Sequence, residues 1–198
     1  ATQVFYRNLQ VMLDNIQRDT AGLPKPVITI GNDVQETGKS FIANELIQII
    51  CQKERKVLYI DTVKTLPEGN ESFVINDFLF EKSDTFLIDT RHRLVHHAFF
   101  HAGDDTFTMV LDTERVQLFI SKLDDYDFIF WELFEFSYNI QLFSSIALAS
   151  DLLLLVARFE RSNRNSLIRV VSFLQERKFQ NIYGVLNYVH KDYFQDRY

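Results

Sequence analysis

The amino-acid sequence predicts an α/β fold with a doubly wound, mostly parallel β-sheet. Short apolar runs alternate along the chain with segments in which apolar residues recur at spacings of three and four. This alternation is typical of buried strands separated by amphipathic helices. One run, residues 152–156, is entirely apolar, as central parallel strands are when helices cover both faces of the sheet. Because ligands of such sheets bind at the carboxyl ends of the strands, the residues that follow each strand are the first candidates for a functional site.

The composition indicates a globular protein with one domain, which we expect to extend over residues 1–198. The chain has 198 residues, 46% hydrophobic and 24% charged, and is long enough for one sizeable core. Its net charge of −6 argues against nucleic-acid binding, because no basic stripe is present. Cys51 is the only cysteine, so a disulfide framework is excluded. No apolar run approaches the ~18 residues that span a bilayer, and without a signal peptide the expected location is the cytoplasm.

The first predicted elements are a helix over residues 3–19 and a strand over residues 27–30. Gly22, Pro24 and Pro26 separate the two, so residues 1–22 are expected to be an N-terminal helical segment. The helix has an apolar face formed by Phe5, Leu9, Met12 and Ile16.

The loop after this strand has the pattern of a phosphate-binding site. The β-branched run breaks at Gly31, and Gly38, Lys39 and Ser40 then open a second helix. In such a loop, backbone N–H groups and the helix N-terminus hold phosphate oxygens, the lysine reaches the outer phosphates, and the hydroxyl binds Mg²⁺. The leading glycine of the pattern is replaced by Asp33, and the alternative is an ordinary helix start. The expected apolar face of the helix comprises Phe41, Ile42, Leu46, Ile49 and Ile50.

The remaining elements continue the alternation of strands and helices. Further strands are predicted at residues 56–61, 126–132, 152–156 and 182–187. Helices are predicted around residues 75–80, after an N-cap at Asp112, over residues 140–150, and after an N-cap at Ser162 or Asn163. The second of these helices carries the apolar residues Val116, Leu118, Phe119, Ile120 and Leu123. The fourth is expected to direct inward Leu167, Val170, Val171 and Leu174.

Residues 91–103 allow two interpretations. His92 with His96, and His97 with His101, are spaced by four, as paired metal ligands on a helix would be. The same stretch also has the pattern of a strand, on which the histidines would scatter over both faces. We favour the strand.

Two predicted strands end in an acid, Asp61 and Glu132. Both carboxylates should emerge at the edge of the sheet where the phosphate loop lies, because parallel strands share that edge. There a carboxylate can hold Mg²⁺ or orient the attacking group in phosphoryl transfer. The alternative is that strands often end in a polar residue.

The order and spacing of these motifs resemble those of the bacterial tyrosine kinases (BY-kinases) of polysaccharide export, the cytoplasmic domains of Wzc-like proteins. The resemblance covers nearly the whole chain, although related P-loop ATPases share individual motifs. The similar segments are residues 5–9 (first-helix motif), 35–40 (Walker A), 57–61 (Walker A′), 126–132 (Walker B), and 152–158 and 184–189 (the last two strands). Partitioning ATPases of the MinD/ParA kind carry a signature lysine five positions before the Walker A lysine, and Val34 occupies that position here.

The resemblance implies a P-loop NTPase fold of the MinD/ParA-like branch that binds ATP or ADP with Mg²⁺. The implied catalytic residues are Lys39, Asp61 and Glu132, and the implied metal ligands are Ser40, Asp61 and Glu132. The residues expected to contact the nucleotide are Gln35, Glu36, Thr37, Gly38, Lys39, Ser40, Phe41 and Asn187, with the asparagine near the adenine. Residues 190–198 would form the tail, with Tyr193 and Tyr198 as candidate phosphoacceptors.

The chain departs from the family pattern in four places. The family's Walker A′ motif is Asp-x-Asp, whereas Val63 replaces the second acid here. Walker B normally ends in Asp-Thr-Pro-Pro, whereas residues 132–135 read Glu-Leu-Phe-Glu. The first-helix pattern Glu-x-x-Arg-x-x-Arg keeps only Arg7, and the tyrosine cluster of the tail is reduced to two residues. Together these losses predict weak or absent kinase activity and make assembly into a ring doubtful.

The resemblance therefore implies that the chain is an ATP-binding, BY-kinase-like domain that serves exopolysaccharide or capsule assembly. The departures from the family pattern imply that it has little or no kinase activity. Its implied partner is a membrane-embedded polysaccharide co-polymerase, in the same polypeptide or in a separate chain, which would hold it at the inner face of the membrane. A homo-oligomer is also implied. The alternatives are a nucleotide-free scaffold of the export complex and an active tyrosine autokinase.

Overall fold

The computed structural model describes residues 2–103 and 111–187. Its strands are β1 (Val27–Asn32), β2 (Val57–Val63), β3 (Val95–His101), β4 (Phe128–Glu135), β5 (Leu152–Arg158) and β6 (Ile182–Asn187). Its helices are α1 (Thr2–Asp19), α2 (Lys39–Gln52), α3 (Asn76–Leu79), α4 (Thr113–Ser121), α5 (Ile140–Ala149) and α6 (Arg164–Gln175). None of the described helices is both long and apolar enough to cross a membrane.

The six strands form one sheet in the order β3-β2-β4-β1-β5-β6, and every pairing is parallel. All carboxyl ends therefore meet at one edge. β1 lies between β4 and β5, so the chain leaves β1 in one direction across the sheet and later continues in the other. This is the switch point at which open α/β sheets bind ligands. The predicted doubly wound parallel sheet is confirmed.

Helices cover both faces of the sheet, so the protein has two apolar layers. Along β4 the side chains alternate: Ile129 and Trp131 pack into the layer that includes α4 and α5, whereas Phe130 packs into the layer beneath α1 and α2. Glu132 continues this alternation and faces α2, as its bonds to Lys39 and Ser40 demonstrate. The period-two pattern of a strand thus directs an acid, rather than an apolar residue, toward the start of the α2 helix.

The helix faces predicted from spacing were only partly correct. Phe41 is 49% exposed, although it was expected on the apolar face of α2, and Leu118 of α4 is 44% exposed. In α2 the buried positions are instead Ile42, Ala43, Leu46, Ile47 and Ile50. Residues spaced by three or four cover a broad face of a helix. Those at the edge of this face do not reach the sheet and can contact a neighbouring element instead. Phe41 does so by stacking on Phe5 of α1, with ring centroids 5.5 Å apart.

One boundary differs from prediction, whereas one of the two predicted N-caps of α6 is confirmed. Strand β4 does not end at Glu132 but continues to Glu135, because Leu133 is buried and extends the alternating pattern. The N-cap of α6 is Asn163, whose side chain accepts a hydrogen bond from the backbone N–H of Asn165 at 2.8 Å. Ser162, the other candidate, bonds to the phosphate loop instead.

Residues 95–101 form strand β3, so the favoured interpretation of the histidine-rich stretch is confirmed and the helical one is wrong. His96 bonds to the Tyr126 hydroxyl at 3.0 Å, whereas His97 stacks on the ring of Tyr59. The two histidines thus have different neighbours, as the scatter over a strand requires. Across residues 2–103 and 111–187, no group of three or more His, Cys, Asp or Glu side chains could hold a metal ion.

Candidate functional site

The loop between β1 and α2 contains two residues with a left-handed backbone conformation. Gly38 is in the left-handed region, with φ 81° and ψ 23°, a conformation that glycine adopts without steric cost. Glu36 also has a positive φ of 56°. Left-handed residues in a turn can direct neighbouring N–H groups toward one side, which creates a concavity suited to an anion. α2 begins at Lys39, so the helix N-terminus opens onto the same loop.

Asp33 stands at the position of the expected first glycine, and its side chain connects the loop to the rest of the protein. The carboxylate is buried and accepts hydrogen bonds from Ser162 Oγ at 2.8 Å and from the Asn163 N–H at 3.2 Å. A second tie comes from Asn187 at the end of β6, whose Nδ2 donates to the Thr37 carbonyl at 2.9 Å. The loop is therefore fixed by β5, α6 and β6, and the charge of Asp33 is satisfied by donors outside the loop.

Glu36 also has external partners. Arg161 Nη1 donates to its carboxylate at 2.6 Å, and Arg158 Nη1 donates to its carbonyl at 2.9 Å. Arg158 is the last residue of β5 and Arg161 follows it, so both contacts come from the same side as those of Asp33. The negative charge of Glu36 near the phosphate loop is therefore partly compensated by Arg161.

Glu132 is the hub of the polar contacts at the carboxyl edge of the sheet. The residue is 3% exposed. Its Oε1 accepts hydrogen bonds from Lys39 Nζ at 2.9 Å and Ser40 Oγ at 2.6 Å, and its Oε2 accepts one from the Tyr59 hydroxyl. Three donors thus satisfy one buried carboxylate, as a buried charge requires. The helix start, β2 and β4 are joined at this one side chain.

Tyr59 is a member of the site that sequence reasoning missed. It lies two residues before Asp61 on β2, hence on the same face of the sheet, and this spacing was the available signal. Burial, and then the nearby Glu132 carboxylate, raise the pKa of its hydroxyl well above the ordinary value. Tyr59 therefore keeps its proton and acts as a donor to Glu132.

Asp61 lies directly beside Glu132, because the two residues are partners in the β2–β4 register. Burial, and then the Glu132 charge, raise the pKa of Asp61 to about 7, while the Lys39 ammonium partly opposes the rise. The two acids named by the sequence are therefore brought together with the lysine and serine. Val63 lies two residues further along β2, at the position of the second acid of the Asp-x-Asp motif, and supplies no carboxylate.

These side chains fit a magnesium ion in their chemistry. Ser40, Asp61 and Glu132 supply one hydroxyl and two carboxylate groups, and Mg²⁺ prefers oxygen ligands. Two buried oxygen atoms nearby, Asn32 Oδ1 and Thr37 Oγ1, have no hydrogen-bond partner within the described part of the chain. Unpaired buried oxygens beside a phosphate-type loop are consistent with a polar ligand or ordered water at this position.

A cleft of about 380 Å³ opens beside the loop. Its lining residues are Asn32, Gln35, Glu36, Lys39, Thr62, Val63, Lys64, Thr65, Phe134 and Glu135. A larger groove of about 490 Å³ lies between α1 and β6. We assign the site to the smaller cleft, because Lys39 and the loop residues line it, whereas none of them lines the larger groove.

The other residues predicted to contact the nucleotide do not all line this cleft. Gln35 lines it and bonds to Glu135, another residue that sequence reasoning did not single out. Phe41 is on the first turn of α2 but stacks on Phe5 and does not line the cleft. Tyr193 and Tyr198 lie outside the described residues.

Comparison with solved structures identifies proteins of the same fold. The kinase domain of the Escherichia coli tyrosine kinase ETK superposes with a TM-score of 0.77 at 18% identity, over 94% of this chain and 76% of that one. The MinD cell division protein of Aquifex aeolicus gives 0.67 at 18% identity, over 86% and 72%. A putative plasmid partition protein of Borrelia burgdorferi, bound to AMPPNP, gives 0.66 at 18% identity, over 86% and 80%. No family model and no curated protein matches the chain.

At these identities the likeness concerns the fold. The motifs found in the sequence correspond to three features of this structure. These are the order of the strands, the loop before α2, and the neighbouring acids on β2 and β4. The chain therefore has the P-loop fold that tyrosine kinase domains such as that of ETK share with MinD and plasmid partition proteins.

Proposed function

We propose that the chain is a nucleotide-binding domain of the BY-kinase type that serves exopolysaccharide or capsule assembly, with kinase activity weak or lost. The observation that carries the proposal is the junction at the start of α2. There Gly38 opens the helix, and Lys39 and Ser40 lie 2.9 and 2.6 Å from the buried Glu132. A cation, a hydroxyl and two acids beside a phosphate-type loop are the groups that position a nucleotide and its metal ion.

The fold supports the same proposal. Proteins of this fold include the ETK kinase domain and a partition protein bound to AMPPNP, a triphosphate analogue. The expected ligand here is ATP or ADP with Mg²⁺, which would supply charge neutralisation at the outer phosphates. By the same resemblance, we propose a cytoplasmic location at the inner face of the membrane, through a membrane-embedded polysaccharide co-polymerase in the same or a separate chain. A homo-oligomer belongs to this proposal, although the altered first helix weakens the case for a ring.

The contacts of Glu132 suggest how a nucleotide would enter. Lys39 must exchange the carboxylate for a phosphate oxygen. Since Tyr59 donates to the other oxygen of Glu132, the acid would keep a protein partner after Lys39 leaves. Tyr59 is thus a positioning residue that keeps Glu132 in place while the lysine changes partners.

Nucleotide binding is expected to depend on Lys39. For the native protein, a saturating mixture of ADP or ATP with Mg²⁺ should raise the unfolding temperature, because a ligand that binds only the folded state stabilises it. Lys39→Ala should remove most of this rise, since the charge that reaches the outer phosphates is lost. Thermal unfolding with and without nucleotide makes the measurement. Lys53→Ala, at the exposed far end of α2, is the matched control and should respond like the native protein.

Tyrosine autophosphorylation is expected to be slow or absent even where nucleotide binds. Phosphoryl transfer depends on positioned charges, Val63 supplies none, and the loss of one such group typically costs about two to three orders of magnitude in rate. Phosphotyrosine mapping by mass spectrometry after incubation with ATP and Mg²⁺ measures the activity. The double variant Val63→Asp with Glu132→Asp should raise any residual activity. Robust phosphorylation of Tyr193 or Tyr198 by the native protein would favour the active autokinase instead.

A nucleotide-free scaffold is the second candidate, and one observation favours it. Lys39 and Ser40, the two side chains that should meet the nucleotide and its metal, are both already bonded to Glu132. If no nucleotide shifts the unfolding temperature of the native protein, this network is a structural brace and the scaffold becomes the better account.

A further inference from the structure

The side chain of Glu135 contacts residues on two walls of the cleft. It is the last residue of β4 and lines the cleft. Its Oε1 accepts a hydrogen bond from Gln35 Nε2 of the phosphate loop at 2.9 Å and lies 3.6 Å from Lys64 Nζ, just beyond β2. Its side chain is 12% exposed. The carboxylate therefore connects the phosphate loop to the opposite wall at the place where a ligand would enter.

This carboxylate is ionised at neutral pH. Burial would raise its pKa, but the bond from Gln35 and the charges of Lys64 and Lys39 outweigh burial and lower the pKa of Glu135 below the ordinary value. Lys39 and Glu135 line the same cleft, so the ammonium and the carboxylate border one ligand space. A phosphate group drawn to Lys39 in this cleft would thus meet a fixed negative charge.

The two lysines that line the cleft are each paired with an acid. Lys39 bonds to Glu132, and Lys64 pairs with Glu135. Lys64 also lies 3.8 Å from the centre of the Tyr138 ring, which holds the ammonium at this wall. A ligand entering the cleft therefore meets no excess of positive charge from these two residues.

We infer that the cleft prefers a nucleoside diphosphate to the corresponding triphosphate, and that Glu135 is the residue that sets this preference. The inference rests on the proposed nucleotide binding. The loop amides and the helix N-terminus would hold the inner phosphates of both ligands alike. Only the third phosphate extends past Lys39 toward Glu135, where like charges repel and the Gln35–Glu135–Lys64 contact has to open. Lys64 offsets this repulsion only in part, and the remainder is expected to change affinity by about tenfold.

Calorimetric titration with ADP and with AMPPNP, each with excess Mg²⁺, measures the preference without hydrolysis. The native protein is expected to bind ADP about tenfold more tightly than AMPPNP. Glu135→Gln keeps the shape and removes the charge, so the ratio of the two affinities should fall toward one. Lys64→Met removes the compensating cation, so the ratio should rise. Glu68→Gln, on an exposed turn, should leave the ratio unchanged, and the unfolding temperature of each variant checks that it is folded.

The outcomes separate this inference from the proposed function. Binding of both ligands with a ratio of one or below in the native protein, or with a ratio that Glu135→Gln does not alter, would overturn the inference and leave nucleotide binding intact. Movement of the ratio in the same direction in Glu135→Gln and Lys64→Met would also overturn it. Failure of both ligands to bind the folded native protein would remove the proposed function and this inference together.

Discussion

Glu132→Ala is expected to lower the free energy of unfolding by about 3–5 kcal/mol, the usual cost of removing one partner from a buried ion pair. The substitution leaves the Lys39 ammonium and the buried Tyr59 hydroxyl without their acceptor and opens a void between β2, β4 and α2. Chemical denaturation at pH 7, without nucleotide or metal, measures the change.

Glu132→Gln is the control for shape in this experiment. The amide fills the same space and keeps a carbonyl oxygen as acceptor, so its loss of stability should be clearly smaller than that of Glu132→Ala. A loss below about 1 kcal/mol in Glu132→Ala, the size of a surface substitution, would contradict the role of Glu132 as the hub of this network.

Asp61→Asn is expected to stabilise the protein at alkaline pH, with the size of the effect set by the shifted pKa. Asp61 has a pKa of about 7 in the folded protein, against 3.8 ordinarily, so the folded state keeps a proton that the unfolded state has released. The stability that this proton contributes is complete below about pH 4 and is lost as the pH rises through about 7. The variant should match the native protein near pH 4 and exceed it at pH 8 by about 2–4 kcal/mol.

Denaturation curves from pH 4 to pH 8, with a chelator and without nucleotide, test this expectation. Asp84→Asn, an exposed substitution, controls for the removal of a negative charge from the protein as a whole. Because Glu132 contributes to the shift, Glu132→Gln should reduce the pH dependence that Asp61 causes. Parallel pH profiles for the native protein and Asp61→Asn would mean that Asp61 is not held in its neutral form by its surroundings.

The sheet could be predicted from the sequence because its signal is local and repeated. Parallel strands covered on both faces are continuous apolar runs, and those at residues 57–60 and 152–156 stand out from the amphipathic segments beside them. Glycines and prolines mark the breaks after α1, β1, β2 and β3. The start of α2 could also be predicted, because Gly38, Lys39 and Ser40 follow a strand and precede an amphipathic segment.

The rest of the site depends on register, which a single sequence does not contain. That Tyr59 donates to Glu132 follows from the alignment of β2 with β4, and that Glu135 faces Gln35 follows from the extension of β4 past its expected end. The role of Asp33 is similar. In the sequence, Asp33 could be recognised only as a residue in place of a glycine. Its hydrogen-bond partners Ser162 and Asn163 lie about 130 residues away in the chain. Long-range pairings of this kind are decided by tertiary packing.

A crystal structure of the chain with ADP and Mg²⁺ tests the central claim most directly. We expect the phosphates to lie against the N–H groups of residues 36–40, with Lys39 Nζ moved from Glu132 to a phosphate oxygen and Glu132 still bonded to Tyr59. A nucleotide bound elsewhere, for example in the groove between α1 and β6, with the Lys39–Glu132 bond intact, would contradict the account.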